Sequence, residues 1–453
     1  MRVLLIQPPN PNRYMERLNQ HEPLALEYLG AALNQDNHEV FLLDARLEPD
    51  YEGAFRSFRP DVVGLNGFTP HLNIVRRMAA GVKALDPKVC VIVGGHHATV
   101  RAEDYNCEQV DLVVRGEGVA AIREIMKCLE AGSSFEKIPG LGLPGKEMFL
   151  TDPRPHPALD SLPFPDRALT AKCRHAYFSE WLRPLASIRT SLGCVSRCSF
   201  CALWGITDGR YLYRQPAKIV EELKAIGEEH VFFCDDESMC DWRRMDQLAD
   251  FIREAGIRKK YYLYARVDTI VKYPGIFAKW KEIGLAQAFI GFESFTDERL
   301  KGMKKGITVE QQQEAARIFH DLGIDIYGSF IVDPSFTRKD FADLASYIRR
   351  IQTTFTSIGI LTPLPGTELY REKVNELTTH QPESYDLVHA VLPTALPLAE
   401  FYSEYLKLYR RATPLPRFLH AAGKLKRGHK LAALRDFMYA GSELKRSIFE
   451  TLR

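Results

Sequence analysis

Short apolar runs alternate with amphipathic stretches along the first 130 residues of this chain. The apolar runs are typical of buried strands, and the stretches between them carry apolar residues at helical spacing. This alternation predicts a series of βαβ units, and therefore a parallel sheet covered by helices. The predicted strands are Val3–Ile6, Glu39–Leu43, Val62–Leu65, Val89–Val93 and Leu112–Val114, and the predicted helices include Leu24–Leu33 and Ile74–Leu85.

A proline-rich segment, residues 135–185, separates this series from a second one. Proline at this density opposes both helices and central strands, so we expect a connecting segment. The second series runs to about residue 400, and its six predicted strands indicate a partly open (β/α)6 barrel. Those strands are Ser187–Ser191, His230–Cys234, Tyr261–Ala265, Ala288–Phe292, Ile326–Val332 and Ser357–Thr362.

The sequence therefore predicts an α/β protein of several domains. We expect a Rossmann-like domain over residues 1–134, the connecting segment over 135–185, the barrel over 186–400 and a helical, basic region over 401–453. No apolar stretch approaches the roughly 20 residues of a membrane span, and nine cysteines without an export signal favour a reducing compartment. We predict a cytoplasmic protein. A net charge of +2 gives no sign of a nucleic-acid partner, and we expect none.

Three cysteines lie within eight residues, directly after the first predicted barrel strand. Cys194, Cys198 and Cys201 belong to a segment, residues 191–201, that we call the cysteine loop; Gly193 eases its tight turn. A [4Fe–4S] cluster normally takes four cysteines. With three, one iron stays open, and the amino and carboxylate groups of an amino acid can chelate it.

Two other interpretations of the cysteines are a zinc site and three buried free thiols. Zinc requires a fourth Cys or His nearby, and none follows at the usual spacing. Free buried thiols are common singly, but three so close together at a strand end are not. The spacing therefore favours the [4Fe–4S] cluster.

The Cys-x3-Cys-x2-Cys spacing, with an aromatic residue before the last cysteine, resembles the signature of the radical S-adenosylmethionine (SAM) superfamily. The resemblance implies that the cluster cleaves SAM reductively and that later strand ends contact SAM. It implies an acidic contact to the SAM amino group, an arginine at its carboxylate, a glutamate at its ribose and further contacts near adenine. The residues so implied are Phe200, Asp235, Asp236, Glu237, Arg266, Glu293, Phe330 and Pro363.

Several of these residues also have a purely structural interpretation. The acidic stretch from Asp235 to Glu237 departs from the family's commoner Gly-Gly-Glu pattern and could cap a helix. Arg266 could form a surface ion pair. Glu293 lies in an apolar strand, where a buried carboxylate needs a partner, and this favours a functional role.

Glycine pairs and polar residues follow the strands of the first domain. In parallel sheets ligands bind outside the carboxyl ends of strands, and glycines there let the backbone approach a large ligand. Together with the cysteine loop downstream, these segments resemble the cobalamin-dependent radical SAM enzymes. The resemblance implies cobalamin contacts from Pro8, Pro9, Thr69, Pro70, His71, Leu72, Gly94, Gly95, His96, Thr99, Gly116, Glu117 and Gly118.

The chain lacks the Asp-x-His-x-x-Gly motif with which cobalamin mutases supply a histidine to cobalt. His71 could take that role, since imidazole binds such metals readily. We expect instead that His71 is a loop histidine without a metal bond. His96 and His97 are expected to contact the nucleotide tail of cobalamin or solvent.

The resemblance implies a methyltransferase with three cofactors: the cluster, SAM and cobalamin. A 5′-deoxyadenosyl radical derived from SAM removes hydrogen from an unactivated carbon, cobalamin gives that carbon a methyl group, and a flavodoxin or ferredoxin supplies electrons. The alternatives are a related enzyme that catalyses a cyclisation, rearrangement or oxidation without methyl transfer, and, more distantly, a sensor with a structural cluster.

Two features bear on the substrate. The segments Arg174–Trp181, Leu361–Thr367 and Leu392–Pro397 look most like the hopanoid C-3 methylases, which implies a lipid substrate. Cationic and apolar residues interleave from Lys407 to Arg453, a pattern typical of a helix at a membrane surface. The same pattern fits a helix packed on the barrel with a solvated basic face. The cationic residues are Lys407, Arg410, Arg411, Arg417, Lys424, Lys426, Arg427, Lys430, Arg435, Lys445, Arg446 and Arg453.

Overall fold

A seven-stranded sheet forms the N-terminal part of the protein in a computed structural model, which describes residues 1–412, 423 and 430–451. Its strand order is β3-β1-β4-β5-β6-β7-β8, and the first five of these strands are parallel. The elements are β1 (Arg2–Gln7), α1 (Arg13–Leu18), β2 (Asn19–Gln20), α2 (Leu24–Gln35), β3 (Glu39–Asp44), α3 (Tyr51–Phe58), β4 (Val62–Asn66), α4 (Leu72–Leu85), β5 (Cys90–Gly94), α5 (His96–Val100), β6 (Leu112–Val114), α6 (Gly118–Ala131), β7 (Leu141–Leu143) and β8 (Phe149–Leu150).

The five predicted strands of the first domain are confirmed, but the predicted end of that domain at residue 134 is too early. β7 and β8 come from the proline-rich segment and add two antiparallel strands to the sheet edge. Pro139 and Pro144 flank β7 rather than interrupt it, so no ladder hydrogen bond is lost. The prediction of a purely connecting segment is therefore wrong for this part.

A six-stranded parallel sheet follows, in the order β10-β13-β14-β15-β16-β17, and confirms the predicted partial barrel. Aromatic side chains fill its inner face, with Phe232 stacked on Tyr262 at 4.7 Å between ring centroids. The elements are β9 (Phe178–Ser179), β10 (Leu185–Ile188), β11 (Ser191–Leu192), α7 (Trp204–Thr207), β12 (Leu212–Tyr213), α8 (Pro216–Ala225), β13 (His230–Phe233), α9 (Trp242–Glu254), β14 (Lys260–Ala265), α10 (Val267–Lys272), α11 (Pro274–Glu282), β15 (Leu285–Glu293), α12 (Asp297–Gly302), α13 (Val309–Leu322), β16 (Asp325–Val332), α14 (Arg338–Ile351), β17 (Phe355–Ile360), α15 (Glu368–Lys373), α16 (Leu398–Ala412) and α17 (Lys430–Thr451).

The predicted helical region at the C-terminus is confirmed where the structure describes it. α16 buries Phe401, Tyr405 and Leu408 in the barrel core, and α17 adds Leu444 and Ile448 to the same core. Leu444, an apolar residue within the predicted membrane-surface segment from Lys407 to Arg453, therefore packs inside the protein. Residues 413–422, 424–429, 452 and 453 lie outside the described part. None of the described helices is long and apolar enough to cross a membrane.

Buried ion pairs join the two sheets. The Glu22 carboxylate, which precedes α2, accepts hydrogen bonds from Arg174 and from the backbone N–H of Ser187 in β10. Arg174 also pairs with Glu228, which precedes β13, at 2.6 Å. Arg167 bonds Glu222 of α8 at 2.7 Å and lies 3.8 Å from Glu22. The network ties the first domain, the connecting segment and the barrel together.

We predict that Glu22→Ala destabilises the protein by about 3–5 kcal/mol, because it removes one carboxylate from the buried ion-pair network and leaves the backbone N–H of Ser187 without its acceptor. The midpoint of urea unfolding measures the loss. Glu39→Ala is the matched control, since Glu39 pairs with Arg2 on the surface with 62% of its side chain exposed. Its effect should stay within about 0.5 kcal/mol. Equal midpoints for the two variants would show that the network does not hold the domains.

Candidate functional site

The cysteine loop starts just after β10 and is held there by two carboxylates at the end of β13. Asp235 is buried and accepts hydrogen bonds from the backbone N–H groups of Thr190 at 2.6 Å and Ser191 at 2.8 Å. The Thr190 hydroxyl donates to it at 2.5 Å. Asp236 accepts from the N–H of Gly193 at 2.7 Å. These bonds explain why β10 ends at Ile188, before the predicted Ser191, and they give both acids a part in positioning the loop.

Gly193 cannot carry a side chain in this arrangement. Its φ is +99°, and a Cβ atom there would overlap with the carbonyl oxygen of Arg210. The close approach arises because β11, just before Gly193, pairs with β12, just after Arg210. Gly193 therefore lets the loop turn tightly against its own return strand.

The three cysteines of the loop are half-buried free thiols. The N–H of Cys201 donates to the carbonyl of Cys198 at 3.1 Å, and burial raises the pKa of the Cys201 thiol to about 11. Among the described residues, no three His, Cys, Asp or Glu side chains surround one metal ion. In an iron–sulfur cluster each cysteine binds its own iron, so such convergence is not required. The donor set fits a cluster better than a zinc ion.

Glu237 and Arg266 meet beside the cysteines. Glu237 is buried, and its Oε1 has no hydrogen-bond partner among the residues that the structure describes. Burial raises the pKa of Glu237 to about 8, although the nearby charge of Arg266 opposes this. The Arg266 guanidinium bonds Asp268 at 2.9 Å and the carbonyl of Lys305 at 3.0 Å. An unpartnered buried acceptor beside a cation suits the charged amino-acid end of a ligand.

Two other residues predicted to contact SAM, Glu293 and Phe330, have contacts within the protein that explain their burial. Glu293, with a φ of +61°, bonds the Lys305 ammonium at 2.6 Å, so the partner that its burial required is a lysine of this chain. Nothing in the local sequence singled out Lys305. Phe330 is fully buried and stacks on Phe292 at 5.5 Å, so it has no surface open to a ligand. Of the two remaining residues, Pro363 is buried and Phe200 is half-buried.

His71 lies at the carboxyl edge of the first sheet and is buried. Its Nδ1 accepts a hydrogen bond from the N–H of Phe68 at 3.3 Å, so its Nε2 carries the proton and donates to Asn10 Oδ1 at 2.8 Å. Burial lowers the pKa of His71 to about 4, which keeps the ring neutral. Both nitrogens are engaged within the protein, in line with a loop histidine that has no metal bond.

The other predicted cobalamin residues lie at the same edge, beyond β1, β4, β5 and β6. Gly95 has a φ of +99°, and a Cβ atom there would come within 2.9 Å of the Gly67 nitrogen, so two loops touch closely. Glu117 caps α6 by accepting from the N–H of Val119 at 2.7 Å. The Thr99 hydroxyl accepts from the N–H of Gly116 at 3.0 Å. These contacts determine the conformation of the loops at the carboxyl edge of the first sheet.

The two adjacent histidines of this edge differ. His96 lines a cavity, whereas His97 is buried and bonds Thr69 at 3.0 Å and Asp104 at 3.0 Å. The expectation that His97 contacts cofactor or solvent is wrong. Leu72 packs in the core of the first domain, while Pro8 is buried beside a half-buried Pro9.

The cavity lies between the first sheet and the barrel and has a volume of about 360 Å³. That volume is within the usual range for ligand pockets. The first domain contributes residues that follow β1, β4 and β5, and the barrel side contributes segments that follow β17. No sequence pattern pointed to residues 385–387. The lining residues are Asn10, Pro11, Asn12, Phe68, Thr69, Pro70, His71, His96, Leu364, Pro365, Tyr385, Asp386 and Leu387.

Comparison with known proteins gives the same two parts. Residues 15–126 match the B12 binding domain, and residues 188–348 match the radical SAM superfamily. Hopanoid C-3 methylase of Methylococcus capsulatus is 32% identical over 416 residues, which cover 90% of this chain and 79% of that protein. Anaerobic magnesium-protoporphyrin IX monomethyl ester cyclase of Rubrivivax gelatinosus is 22% identical over 98% of this chain and 84% of its own length.

Solved structures share the whole fold. The radical SAM methyltransferase TsrM from Kitasatospora setae, with cobalamin and a [4Fe–4S] cluster bound, has a TM-score of 0.73 and 17% identity. The match covers 97% of this chain and 99% of TsrM. The cobalamin-dependent radical enzyme OxsB also has a TM-score of 0.73, with 16% identity over 99% of this chain and 72% of its own.

A cobalamin domain in front of a radical SAM barrel defines the class of enzyme. Within that class, this chain belongs to the cobalamin-dependent radical SAM methyltransferases. Its cofactors are a [4Fe–4S] cluster, SAM and cobalamin. Its substrate is a small molecule.

We predict that Gly193→Ala lowers the iron content of anaerobically reconstituted protein several-fold, because the added Cβ pushes the cysteine loop away from β12. Iron analysis and the visible absorbance of the cluster measure the loss. Gly227→Ala is the control, since a Cβ there meets nothing within 4 Å. Full iron content in Gly193→Ala would show that the loop tolerates the shift.

Proposed function

We propose that this enzyme methylates an unactivated carbon of a lipid, and that the lipid is a hopanoid methylated at C-3. The observation that carries the proposal is 32% identity, over nine-tenths of the chain, to a protein named hopanoid C-3 methylase. The cavity between the domains supports it, because Pro11, Phe68, Leu364, Pro365 and Leu387 give it an apolar lining. Apolar pockets suit hydrocarbon ligands.

Within this proposal, Cys194, Cys198 and Cys201 hold the cluster, and Glu237 with Arg266 receives the amino-acid end of SAM. When bound, the cluster and SAM supply hydrogen abstraction, and cobalamin supplies the methyl group. Glu237 Oε1, which lacks a partner in the described part of the chain, would accept a hydrogen bond from the SAM ammonium. Asp235 and Asp236 act indirectly by holding the cysteine loop.

The loops at the carboxyl edge of the first sheet hold cobalamin in this proposal. The close contact of Gly95 with Gly67 leaves the backbone of that edge free of side chains, which lets a large ligand approach. Thr99 and Glu117 brace the loops through their backbone hydrogen bonds. His71 supports the loop from within, and because both of its ring nitrogens are hydrogen-bonded it would not serve as a ligand to cobalt.

The test is an anaerobic assay with SAM, methylcobalamin, a reductant and a hopanoid-containing lipid extract, followed by mass spectrometry. We predict a product heavier by one CH2 unit, because a methyl group replaces a hydrogen atom, together with deoxyadenosine. Cys198→Ala should lose the cluster and both products, because it removes a proposed iron ligand. Cys128→Ala, on α6 of the first domain, is the control that should keep them.

Each other outcome has a distinct meaning. Deoxyadenosine without any methylated lipid would indicate a different substrate or a non-methylating reaction. Deoxyadenosine from Cys198→Ala would contradict the assigned cluster ligands.

Val195, between two of these cysteines, is 64% exposed, so the loop reaches the surface where a flavodoxin or ferredoxin could dock. Reduced flavodoxin should therefore replace a chemical reductant in the same assay; failure to do so would count against such a donor.

We further propose that the enzyme contacts the cytoplasmic face of a membrane through α17. Exposed residues recur every three or four positions along this helix, at Arg435, Tyr439, Ser442, Arg446 and Phe449. Leu444 and Ile448 lie on the opposite, buried side. Cationic and aromatic side chains on one exposed face are typical of helices at anionic lipid surfaces.

We predict that the triple variant Tyr439→Ser, Arg446→Glu and Phe449→Ser sediments less with anionic liposomes than the unchanged protein. Each cation near an anionic surface contributes about 1 kcal/mol, and salt screens it. Truncation is avoided because α17 supplies core residues. The control is Lys339→Glu on α14, a highly exposed lysine away from this helix. Equal sedimentation of the triple variant and the control would contradict membrane contact.

A further inference from the structure

One wall of the cavity belongs to neither proposed cofactor site. Thr69, Pro70 and His71 come from the proposed cobalamin loops, and Leu364 and Pro365 follow the proposed SAM contact at Pro363. The substrate carbon must lie between these two sides, because it loses hydrogen to one cofactor and receives a methyl group from the other. Residues 385–387 belong to neither of these two sides and are therefore placed to face the substrate.

Most polar side chains that line the cavity form hydrogen bonds to other groups of the protein. Each bond joins a lining side chain to another protein group, so few donors or acceptors are left for a ligand. At the wall formed by residues 385–387, a ligand that bound through hydrogen bonds would have to break one of these bonds. The bonds are His71 Nε2 to Asn10 Oδ1 at 2.8 Å, Asn12 Nδ2 to Asp386 Oδ2 at 3.1 Å, Thr69 Oγ1 with His97 Nδ1 at 3.0 Å and Tyr385 OH to the Thr379 carbonyl at 3.3 Å.

Leu387 stands out on this wall for two reasons. Its φ is +66°, a left-handed conformation that costs a non-glycine residue of order 1 kcal/mol. Its side chain is also 48% exposed, so the strain does not serve to bury it. The stability of the fold therefore does not explain why a leucine occupies this position.

The backbone around Leu387 is nevertheless firmly held. Asp386 Oδ1 accepts from the N–H groups of Val388 at 2.9 Å and His389 at 3.0 Å. The N–H of Ile360, at the end of β17, donates to the Leu387 carbonyl at 2.7 Å. Asp386 is tied to the first domain through Asn12. The strained turn is thus fixed relative to both domains.

Phe68 presents a second exposed apolar side chain to the same cavity, from the first domain, with 59% of its surface exposed. Large apolar residues left exposed in a cavity between domains are typical of a binding surface. Leu387 and Phe68 come from different domains, so both can contact a ligand lying between them.

We propose that Leu387, together with Phe68, positions the substrate and selects a saturated hydrocarbon ring skeleton without a polar group at this wall. The proposal rests on the proposed function and names the residue that enforces its substrate class. Leu387 is a positioning residue: it holds the skeleton against the cofactors and takes no part in the bond changes.

The test uses cobalamin-loaded holoenzyme with Leu387→Ala, Leu387→Gly and, as control, Leu398→Ala at the start of α16, outside the cavity. For Leu387→Ala we expect KM for the lipid to rise about tenfold or more, as apolar truncation in a pocket does, and more deoxyadenosine to form per methylated product. Retention of hopane, the unsubstituted hydrocarbon, should fall by a similar factor. Cobalamin content should not change, and Leu398→Ala should match the unchanged protein throughout.

Leu387→Gly separates positioning from folding. Glycine adopts the left-handed conformation without strain, so this variant should unfold at the same or a higher temperature, yet lose hopane and coupling as Leu387→Ala does. Lower stability with unchanged KM would overturn the proposal, and so would loss of cobalamin, which would place Leu387 against the corrin ring. Hopane retention that depends on Leu387 in an enzyme that methylates no hopanoid would contradict the proposed function alone. If the Leu387 variants methylate a hopanoid as the unchanged protein does, this inference alone is contradicted.

Discussion

The buried carboxylate of Glu22 is the contact on which the arrangement of the two sheets depends. It lies just before α2 of the first domain, yet its partners are the backbone of β10 and an arginine of the connecting segment. Charges withdrawn from water are costly unless they are fully paired, so such a network has one favourable geometry. That geometry holds the domains so that the cavity forms between them. An enzyme that must bring three cofactors to one carbon needs this fixed relation.

Hydrogen-bonded carboxylates also position the cysteine loop. Asp235 and Asp236 bond to backbone N–H groups and set where the loop leaves the barrel, and Gly193 lets it turn against β12. Glu237, the third acid of that stretch, keeps one oxygen without a partner. Adjacent carboxylates thus divide into two that build the loop and one left available for a ligand.

The lining of the cavity is consistent with a protein that positions its ligands and leaves the bond changes to its cofactors. Most of its polar side chains bond to other groups of the protein, and its exposed groups include Phe68 and Leu387. Since the cofactors carry the reaction, the protein contributes position and exclusion of water. A strained leucine held by Asp386 suits that division, because a rigid apolar wall orients a ligand that offers no hydrogen bonds.

The two βα series, the parallel sheets and the cysteine loop were predictable from the sequence, because they depend on local periodicity and on residue spacing along the chain. The cofactor class followed from the resemblance of these segments to known families. Roles that depend on partners distant in sequence emerged only from the folded structure. The burial of Glu293 is explained by its ion pair with Lys305, which no local pattern indicated, and Phe330 lies in the core. Glu22 and Leu387 carried no local signal, since burial, ion pairing and cavity lining arise only when separate segments pack together.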